Sequence, residues 1–582
     1  MRIWIVGLGC TLAIAMGCAS ARAADGTEAR FRSIYEQEWA WREEQYPGDD
    51  ETKPFPDRLP KEDSAAHAAR LKYWREVMKK IEAVRVSALP PEEKVNYAVY
   101  KPQIAILVSQ EEFRDYEMPA NSDSAFWSDI STMPQHRLKT ETDYRSYVRW
   151  LNDIPRYFRD AAANMRAGLV RRFTPPKVTM AGRDKSIAAI ASAAGESNVY
   201  YQPLKVMPAS IPVAERAQLR RQVLAAIRLS VVPAYGRLLK FVRDEYIPKC
   251  RTTLAAEALP DGEAYYRSKI LEYTTRSLDP DAIYKTGLSE VATIHAHMLD
   301  AMRRTGFKGD FPAFLRYLRT EPKFYAKTPE ELLMHAAWIA KRFDGVASQF
   351  FGYLPRQRFG IEPVPAPIAP YYTSGRGGPG VYYVNTYDLR ARPLYNLTAL
   401  TLHESAPGHA FQIPIAEEHK AQPPFRQNAY ISAYGEGWAV YSERLGVEMG
   451  LYETPYDVFG MWTYQAWRAC RLVVDTGIHA KGWTRERAQQ YLHENTALTD
   501  HEIETEVDRY IGWPGQALSY YVGASDIWRN RERAEKALGA KFNIRAFHDA
   551  VLELGSVPLT QIDARIDRFI VEGGKGPYPD LE

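Results

Sequence analysis

The sequence predicts a mainly α-helical protein with one short β element. Apolar residues recur at helical spacing through most of the 582 residues. Several of these segments begin with an N-cap residue followed by proline, as helix starts often do. Length alone suggests about four domains, yet no Pro-, Gly- or Ser-rich linker, internal repeat or low-complexity stretch separates independent units. We therefore predict a single helical domain.

The first residues are typical of a secretory signal peptide. Arg2 precedes an apolar stretch at 3–16, and residues 21–23, Ala-Arg-Ala, form a small-x-small cleavage site. We expect cleavage after Ala23 and a secreted or periplasmic mature protein. The alternative is lipoprotein processing at Cys18, which the preceding residues fit incompletely. No later apolar run reaches 18 residues, so the sequence predicts no transmembrane span.

Charge and cysteine content narrow the classes of partner. The formal net charge is +3, and it falls to +1 when Arg2 and Arg22 leave with the signal peptide. A balance so near neutrality argues against nucleic acid as a partner. Two cysteines remain in the mature chain, Cys250 and Cys470. An oxidising compartment permits a disulfide between them, but buried thiols are the more usual state, and two cysteines do not make a metal cluster.

Two helices in the middle of the chain have well-defined predicted starts. Asp279 precedes Pro280, and the apolar stripe that follows consists of Val291, Ile294, Met298 and Met302. Thr328 caps a helix that begins at Pro329, whose apolar stripe consists of Leu332, Ala336, Ile339, Phe343, Val346 and Phe350. The N-terminal part has the same character. We predict that the domain covers 24–582, with an N-terminal lobe at about 24–209 and the remainder at about 210–582.

The exception to the helical pattern lies at residues 374–387. Residues 374–380 are rich in glycine and lack the Gly-Lys-Ser/Thr of a phosphate loop, so we predict a mobile flap there. Residues 381–387 are β-branched and aromatic, which predicts a short strand. Because an exposed strand edge can bind an extended peptide, Tyr382 and Tyr383 are candidate substrate-binding residues.

A candidate metal motif follows this strand. The sequence Leu-His-Glu-Ser-Ala-Pro-Gly-His places Glu404 between His403 and His409. Neutral imidazoles bind zinc, and a neighbouring carboxylate can take a proton from water. The histidines lie six positions apart instead of four, about 120° apart on an ideal helix. We predict that a π-type bulge at Pro407 and Gly408 returns His409 to the face of His403. Alternatively, His409 only caps a helix that ends at the proline.

Glu436 is the candidate third ligand. It follows the second histidine by 27 residues, and the flanking Gly435 and Gly437 permit another backbone to approach closely. Glu443 lies seven residues further on, on the same helical face, and is predicted to accept a hydrogen bond from a ligand imidazole. The alternatives are a solvated helix charge for Glu436 and a surface ion pair with Arg444 for Glu443.

Two later segments mix polar with apolar residues, around residues 471–479 and 506–521. Buried polar groups need partners or a function. Arg471 and Arg509 are therefore candidates for a two-point contact with a substrate carboxylate. For each, the alternative is a buried structural ion pair with Asp475 or Asp508.

The motif His-Glu-x-x-Pro-Gly-His, followed by Tyr-x-Glu-Gly-Trp-Ala-x-Tyr-x-Glu, resembles the bacterial domain-of-unknown-function 885 family. That family is similar to helical gluzincin peptidases such as carboxypeptidase Taq, angiotensin-converting enzyme and thimet oligopeptidase. The resemblance covers nearly the whole mature chain. It implies a two-lobed helical fold with a deep central cleft, a strand beside the metal, and one zinc ion held by His403, His409 and Glu436.

The same resemblance implies a zinc peptidase that acts on short or unfolded peptides, with Glu404 as the general base toward water. By analogy, His479 and one of Tyr520 and Tyr521 donate hydrogen bonds to the oxyanion. Two alternatives stay open, namely a zinc hydrolase of small non-protein amides and a catalytically inactive peptide-binding protein. The intact Glu404 argues against the second. Neither the substrate, the cleavage direction nor the oligomeric state follows from the sequence.

Overall fold

The computed structural model is mainly helical. Side chains are described from residue 26 onward, and that of residue 371 is not described. The predicted signal peptide, the predicted cleavage after Ala23 and the lipoprotein alternative at Cys18 therefore lie outside the described side chains. The described backbone comprises residues 9–48, 53–122, 124–132, 138–366, 369–418 and 422–578.

The chain divides into two compact units. The first comprises Met1–Ala120, Ser124–Thr174 and Met180–Cys250, and the second comprises Asn121–Asp123, Pro175–Thr179 and Arg251–Glu582. The first unit thus continues to Cys250, beyond the lobe boundary expected near residue 209. That residues 24–582 form a single domain, and that a deep cleft lies between two lobes, stay predictions.

The first unit packs around large aromatic side chains that are fully buried, among them Trp127, Trp150, Tyr200 and Tyr235. The hydroxyls of Tyr200 and Tyr235 lie 2.7 Å apart, and Tyr235 donates to the carbonyl of Trp127 at 2.7 Å, so the buried phenols have partners. Its helices are α1 (Gly9–Gln45), α2 (Ser64–Glu82), α3 (Pro91–Phe113), α4 (Phe126–Thr132), α5 (Glu141–Arg171), α6 (Asp184–Ser192), α7 (Gln202–Lys205), α8 (Val213–Ala226), α9 (Val232–Phe241) and α10 (Ile247–Lys249).

The second unit contains the candidate metal motif. Both predicted helix starts in it are confirmed, because Asp279 and Thr328 each accept backbone N–H bonds from the first turn that follows. Its helices are α11 (Gly262–Thr274), α12 (Pro280–Arg304), α13 (Phe311–Thr320), α14 (Pro329–Phe350), α15 (Leu394–Glu404), α16 (His409–Glu418), α17 (Pro424–Gln427), α18 (Ser432–Glu448), α19 (Pro455–Lys481), α20 (Arg485–Asn495), α21 (Asp500–Gly512), α22 (Leu518–Leu538), α23 (Ile544–Leu552) and α24 (Leu559–Val571). Helices α15, α18, α19 and α22 pack against one another around the motif.

A three-stranded sheet lies beside α15. It consists of β1 (Gly360–Pro363), β2 (Gly375–Gly378) and β3 (Val381–Val384), in the order β1-β3-β2. Strand β3 pairs in parallel with β1 and antiparallel with β2. The predicted strand is confirmed as β3, but it is the central strand, not an edge.

The predicted mobile flap is wrong, because most of it forms the edge strand β2. Its glycines reflect close packing. A Cβ at Gly377 would fall 1.6 Å from the carbonyl oxygen of Glu404, and one at Gly375 would fall 3.0 Å from the carbonyl oxygen of Tyr383. The edge strand therefore lies directly against the end of α15, where the candidate metal motif begins.

The prediction of buried thiols is confirmed. Cys250 and Cys470 are both buried as thiols. Within the described part of the chain, no helix combines the length and the apolar character that a membrane span requires.

Candidate metal centre

The metal motif lies at the junction of two helices. Helix α15 ends at Glu404, and α16 begins at His409. Ser405 has non-helical backbone angles (φ −97°, ψ −112°), and the N–H of Gly408 donates to the carbonyl of Leu402 at 3.0 Å. The predicted π-type bulge is therefore wrong, since the helix breaks and a new one starts. The proline of the motif, which lacks an amide hydrogen and cannot continue a helix, explains the break.

Close packing fixes the turn between the two histidines. A Cβ at Gly408 would fall 1.9 Å from the carbonyl oxygen of His403, so this position requires glycine. The indole of Trp438 in α18 donates to the carbonyl of Pro407 at 2.7 Å. The turn is thereby attached both to the preceding helix and to α18, which carries Glu436.

The break brings the three predicted ligands together. One ligand atom from each of His403, His409 and Glu436 lies within 4.8 Å of the other two, and all three residues are buried. The Nε2 atoms of His403 and His409 lie 3.5 and 3.3 Å from Oε2 of Glu436. Ligands on a tetrahedral zinc with bonds near 2.0–2.1 Å are about 3.3–3.4 Å apart. The separations of 3.5 and 3.3 Å thus fit that coordination.

The electrostatics of Glu436 also fit a cation. Burial alone would raise the pKa of its carboxyl, but His409 and His403 outweigh that effect and hold the pKa well below its usual range. Its buried Oε2 has no hydrogen-bond donor among the described residues. An unsatisfied buried acceptor costs about 1–3 kcal/mol. A metal ion would satisfy this oxygen.

Glu443 orients the first ligand. Its Oε1 lies 2.8 Å from Nδ1 of His403, and the carboxylate also accepts from Gln465 at 2.9 Å and from Arg468 at 3.2 Å. A carboxylate only accepts, so Nδ1 carries the proton and Nε2 presents its lone pair to the site. Glu443 is 0% exposed, which does not fit the surface pair with Arg444.

The pKa of His403 reflects the same surroundings. Burial alone would lower this pKa, but the neighbouring carboxylates of Glu436 and Glu443 outweigh it and raise the pKa to about 9. The two carboxylates therefore favour a positive charge at this position. A proton or a metal ion can supply that charge.

Strand β2 holds the carboxylate that follows the first ligand. The N–H of Gly377 donates to Oε2 of Glu404 at 2.6 Å. Glu404 is directly adjacent to His403 in sequence and is only partly buried. The structure thus gives this carboxylate a fixed position at the solvent-accessible side of the cluster.

A family model described as bacterial protein of unknown function, DUF885, matches residues 44–566. The chain belongs to this family. The family resemblance predicted from the two motifs is thereby confirmed, whereas the further likeness to gluzincin peptidases stays a prediction. Among curated proteins, no match to the chain was found.

Two solved structures are similar to this DUF885 chain. One is described as a "putative lipoprotein" from Colwellia psychrerythraea; it is 26% identical with a TM-score of 0.83, and the match covers 95% of this chain and 99% of that one. The other is described as a "putative lipoprotein of unknown function" from Shewanella oneidensis; it is 17% identical with a TM-score of 0.67, and the match covers 93% and 99%. The second likeness shows the fold alone.

Of the two predicted tyrosines, the structure brings Tyr520 to the candidate metal centre. Its ring stacks on that of His403, with centroids 6.2 Å apart and an interplanar angle of 12°. Its hydroxyl accepts from Arg509 at 3.0 Å, so the hydroxyl proton stays available for another acceptor. Tyr521 instead donates to Glu290 at 2.7 Å, and its predicted role is wrong.

His479 is not part of the centre. Its Nδ1 accepts from the N–H of Ala256 at 3.1 Å, and its Nε2 donates to the carbonyl of Tyr510 at 2.9 Å. The side chain is 0% exposed. Because both ring nitrogens are engaged in the core, the predicted oxyanion role of His479 is wrong, and its role is structural.

This buried imidazole predicts a loss of stability in acid. Burial lowers the pKa of His479 to about 3, whereas an unfolded histidine titrates near 6.5. Below pH 6.5 the unfolded chain binds a proton that the folded chain does not, so stability falls as pH falls toward 3. At pH 5 this amounts to about 2 kcal/mol. Urea unfolding of the parent and of His479→Gln at pH 7 and pH 5 measures it. The variant should lose about 2 kcal/mol less than the parent, and equal losses would contradict the assignment.

The guanidinium groups of both predicted carboxylate-binding arginines are already paired with a carboxylate of the protein. Arg471 is 1% exposed and pairs with Glu506 at 2.8 Å, and Arg509 pairs with the same carboxylate at 3.2 Å. The predicted substrate contacts are therefore wrong. Both arginines do form structural ion pairs, as the alternative predicted, but not with the predicted partners. Asp475 accepts from a tyrosine and a backbone N–H, and Asp508 pairs with another arginine.

The predicted substrate contact of Tyr382 is also wrong. This side chain is 0% exposed and lies in the central strand, with its hydroxyl 3.4 Å from that of Thr401 in α15. Tyr383 is partly exposed and lies opposite Arg376 in the β2–β3 register. A role for Tyr383 in substrate binding stays a prediction.

Sequence reasoning missed Tyr430. Its hydroxyl donates to Oε1 of Glu436 at 3.0 Å, so it holds the ligand oxygen that does not face the histidines. Tyr430 is 54% exposed as a whole, but its hydroxyl end is buried. This burial raises the pKa of Tyr430 well above its usual value. The feature of the sequence that could have indicated this contact is Gly435, because a Cβ there would fall 2.8 Å from the Tyr430 ring.

Proposed function

We propose that this DUF885 protein is an exported zinc-dependent peptidase that hydrolyses short or unfolded peptides. The observation that carries the proposal is the buried cluster of His403, His409 and Glu436, with Glu404 held beside it. A helix that ends in His-Glu, a second histidine, and a glutamate on the later helix α18, with an edge strand alongside, are similar to the arrangement in helical gluzincins. The two-lobed peptidase fold is part of this proposal.

The three ligands would leave one coordination position open, as catalytic zinc sites do. Nε2 of His403, Nε2 of His409 and Oε2 of Glu436 are the atoms that would hold the ion. When bound, zinc supplies Lewis acidity toward a water molecule and a substrate carbonyl. Glu443 and Tyr430 keep the ligand side chains in place.

Glu404 would act as the general base. Its carboxylate accepts a proton from the attacking water and then delivers that proton to the amine nitrogen that leaves. The bond from the N–H of Gly377 fixes one carboxylate oxygen at 2.6 Å, which limits the rotation of the side chain. A base held in one orientation transfers its proton with less reorganisation.

Tyr520 would donate a hydrogen bond to the carbonyl oxygen as negative charge develops on it. One such donor typically contributes 10²–10³-fold in rate. Three guanidinium groups surround its ring, at 5.3, 4.0 and 5.7 Å from the centroid for Arg468, Arg471 and Arg509. They hold the ring against His403, and the bond from Arg509 leaves the hydroxyl proton directed elsewhere.

Export is supported by the similar protein from Colwellia, which is described as a "putative lipoprotein". That description favours lipid attachment at Cys18 over cleavage after Ala23. Either route places the protein outside the cytoplasm.

The proposed function is tested by metal-dependent turnover. Chelator-treated protein, before and after addition of one equivalent of zinc, is incubated with a mixed peptide library, and products are mapped by mass spectrometry. We expect cleavage in the zinc-loaded sample and none in the stripped one. Saturable peptide binding without cleavage would favour a binding protein, and turnover restricted to non-peptide amides would favour an amidohydrolase.

A further inference from the structure

Tyr430 lies at the start of the helix that carries the third candidate ligand. Helix α18 begins two residues later, and the N–H of the intervening Ile431 donates to the hydroxyl of Ser556 at 2.7 Å. The Tyr430 ring lies across the first turn of α18, because a Cβ at Gly435 would fall 2.8–3.0 Å from three of its atoms. The absence of a side chain at Gly435 therefore gives the ring the space to reach Glu436.

The two carboxylate oxygens of Glu436 have different surroundings. Oε2 lies 3.5 Å from Nε2 of His403 and 3.3 Å from Nε2 of His409, and it has no hydrogen-bond donor among the described residues. Oε1 accepts from the hydroxyl of Tyr430 at 3.0 Å. One oxygen of the carboxylate is thus directed between the imidazoles, and the other is held by the phenol.

The number of carboxylate oxygens that bind an ion decides how many coordination positions stay open. A carboxylate can bind a cation through one oxygen or through both. Beside two histidines, one oxygen makes three ligand atoms and leaves the fourth tetrahedral position for water or substrate. Two oxygens make four ligand atoms and fill the shell. The partner of the second oxygen therefore bears on whether such a centre can act on a substrate.

We propose that Tyr430 is a positioning residue that keeps Glu436 a one-oxygen ligand, so that one coordination position of the metal centre stays open. This deepens the proposed function and rests on it, because an open position serves turnover only in a catalytic centre. For Oε1 to turn toward the histidines, it must give up the bond from a phenol whose ring lies against Gly435. A buried acceptor that loses its donor is disfavoured, so the bond opposes that rotation.

The variant Tyr430→Phe tests this role, because phenylalanine keeps the ring against Gly435 and removes only the hydroxyl. In crystals of the zinc-loaded proteins, Oε2 alone should lie within bonding distance of the ion in the parent, and both oxygens of Glu436 should do so in the variant. Zinc affinity should be kept or rise, since the variant offers one more ligand atom. Peptide hydrolysis should fall by roughly 10- to 100-fold, as the loss of an outer-shell contact typically gives.

Azide provides a readout that does not need turnover, because this anion occupies a single coordination position. Calorimetry with the zinc-loaded proteins should show azide affinity at least about 10-fold lower in Tyr430→Phe than in the parent, since the second oxygen of Glu436 then competes for that position. The matched control is Tyr387→Phe, which removes the hydroxyl of another exposed tyrosine of the second unit. It should bind azide and hydrolyse peptide like the parent.

One-oxygen ligation in both crystal structures, or equal azide affinities, would overturn the proposal. So would weaker zinc binding by Tyr430→Phe, because that result would show that the hydroxyl only supports the ligand. If the parent binds zinc and azide but cleaves no peptide, while the variant shows two-oxygen ligation and weaker azide binding, the proposed function fails and the positioning role of Tyr430 stands.

Discussion

Replacing Glu404 by glutamine is expected to reduce peptide hydrolysis by roughly 10²–10⁴-fold, the range that loss of a general base gives. Glutamine has nearly the same shape, and its carbonyl oxygen can still accept the bond that Gly377 donates at 2.6 Å. It cannot take a proton from water. Zinc content and unfolding midpoint should therefore match those of the parent.

The matched control is Glu417→Gln, which removes an exposed carboxylate from α16, the helix that begins with the second ligand. It should retain the activity of the parent. Turnover by Glu404→Gln at the parent rate would show that another group is the base. A loss of zinc from Glu404→Gln would instead assign this residue to metal binding.

The second large effect is expected from Gly408→Ala, although this change alters no ligand. The added Cβ would fall 1.9 Å from the carbonyl oxygen of His403, a separation that backbone atoms must relieve by moving. The turn between His403 and His409 then opens, and the two imidazoles lose their common geometry. We expect zinc affinity to fall by at least roughly 10-fold, comparable with the loss of an outer-shell contact, and hydrolysis to fall with it.

Competition with a fluorescent zinc chelator measures that affinity. Gly345→Ala is the control, because a Cβ at this position in α14 meets no atom within 4 Å and alanine favours a helix. It should bind zinc like the parent and be slightly more stable. Unchanged zinc affinity in a folded Gly408→Ala would contradict the inferred importance of the turn.

Local signals predicted the helices, and they also predicted the three residues that lie together at the candidate metal centre. Caps such as Thr328 act within one turn of the helix, so they can be read from adjacent residues. The ligand types at 403, 409 and 436 followed from the chemistry of zinc. The path between the histidines did not, because an inserted bulge and a helix break both bring His409 back to the side of His403, and the sequence alone does not distinguish them.

The glycines at residues 374–380 led to a wrong prediction. Their frequency suggested a flexible loop, whereas β2 uses glycine because α15 leaves no space for a Cβ at Gly377. The same residue type serves turns and close contacts, and only the tertiary neighbour decides between them. Around Glu436 the expectation of close approach was right, since a Cβ at Gly437 would fall 2.5 Å from the backbone of Gly523 in α22.

Buried polar residues late in the chain could not be assigned from sequence for a related reason. His479 and Arg471 need partners in either a structural or a catalytic role. Their partners, Ala256 and Glu506, lie 223 and 35 residues away along the chain. No pattern of neighbouring residues reveals such pairs, so a structural and a catalytic role both stayed possible for His479 and Arg471 until the fold was known.

The zinc content of the purified protein tests the central claim most directly. We predict about one zinc per chain by plasma mass spectrometry after dialysis, and loss of that zinc in Glu436→Gln, which keeps the shape of the ligand but removes its charge. The control Glu448→Gln, an exposed carboxylate on the same helix α18, should retain it. A parent protein that binds no zinc even when supplied with it, or a Glu436→Gln variant that holds zinc as tightly as the parent, would contradict the assignment of this cluster as the metal centre.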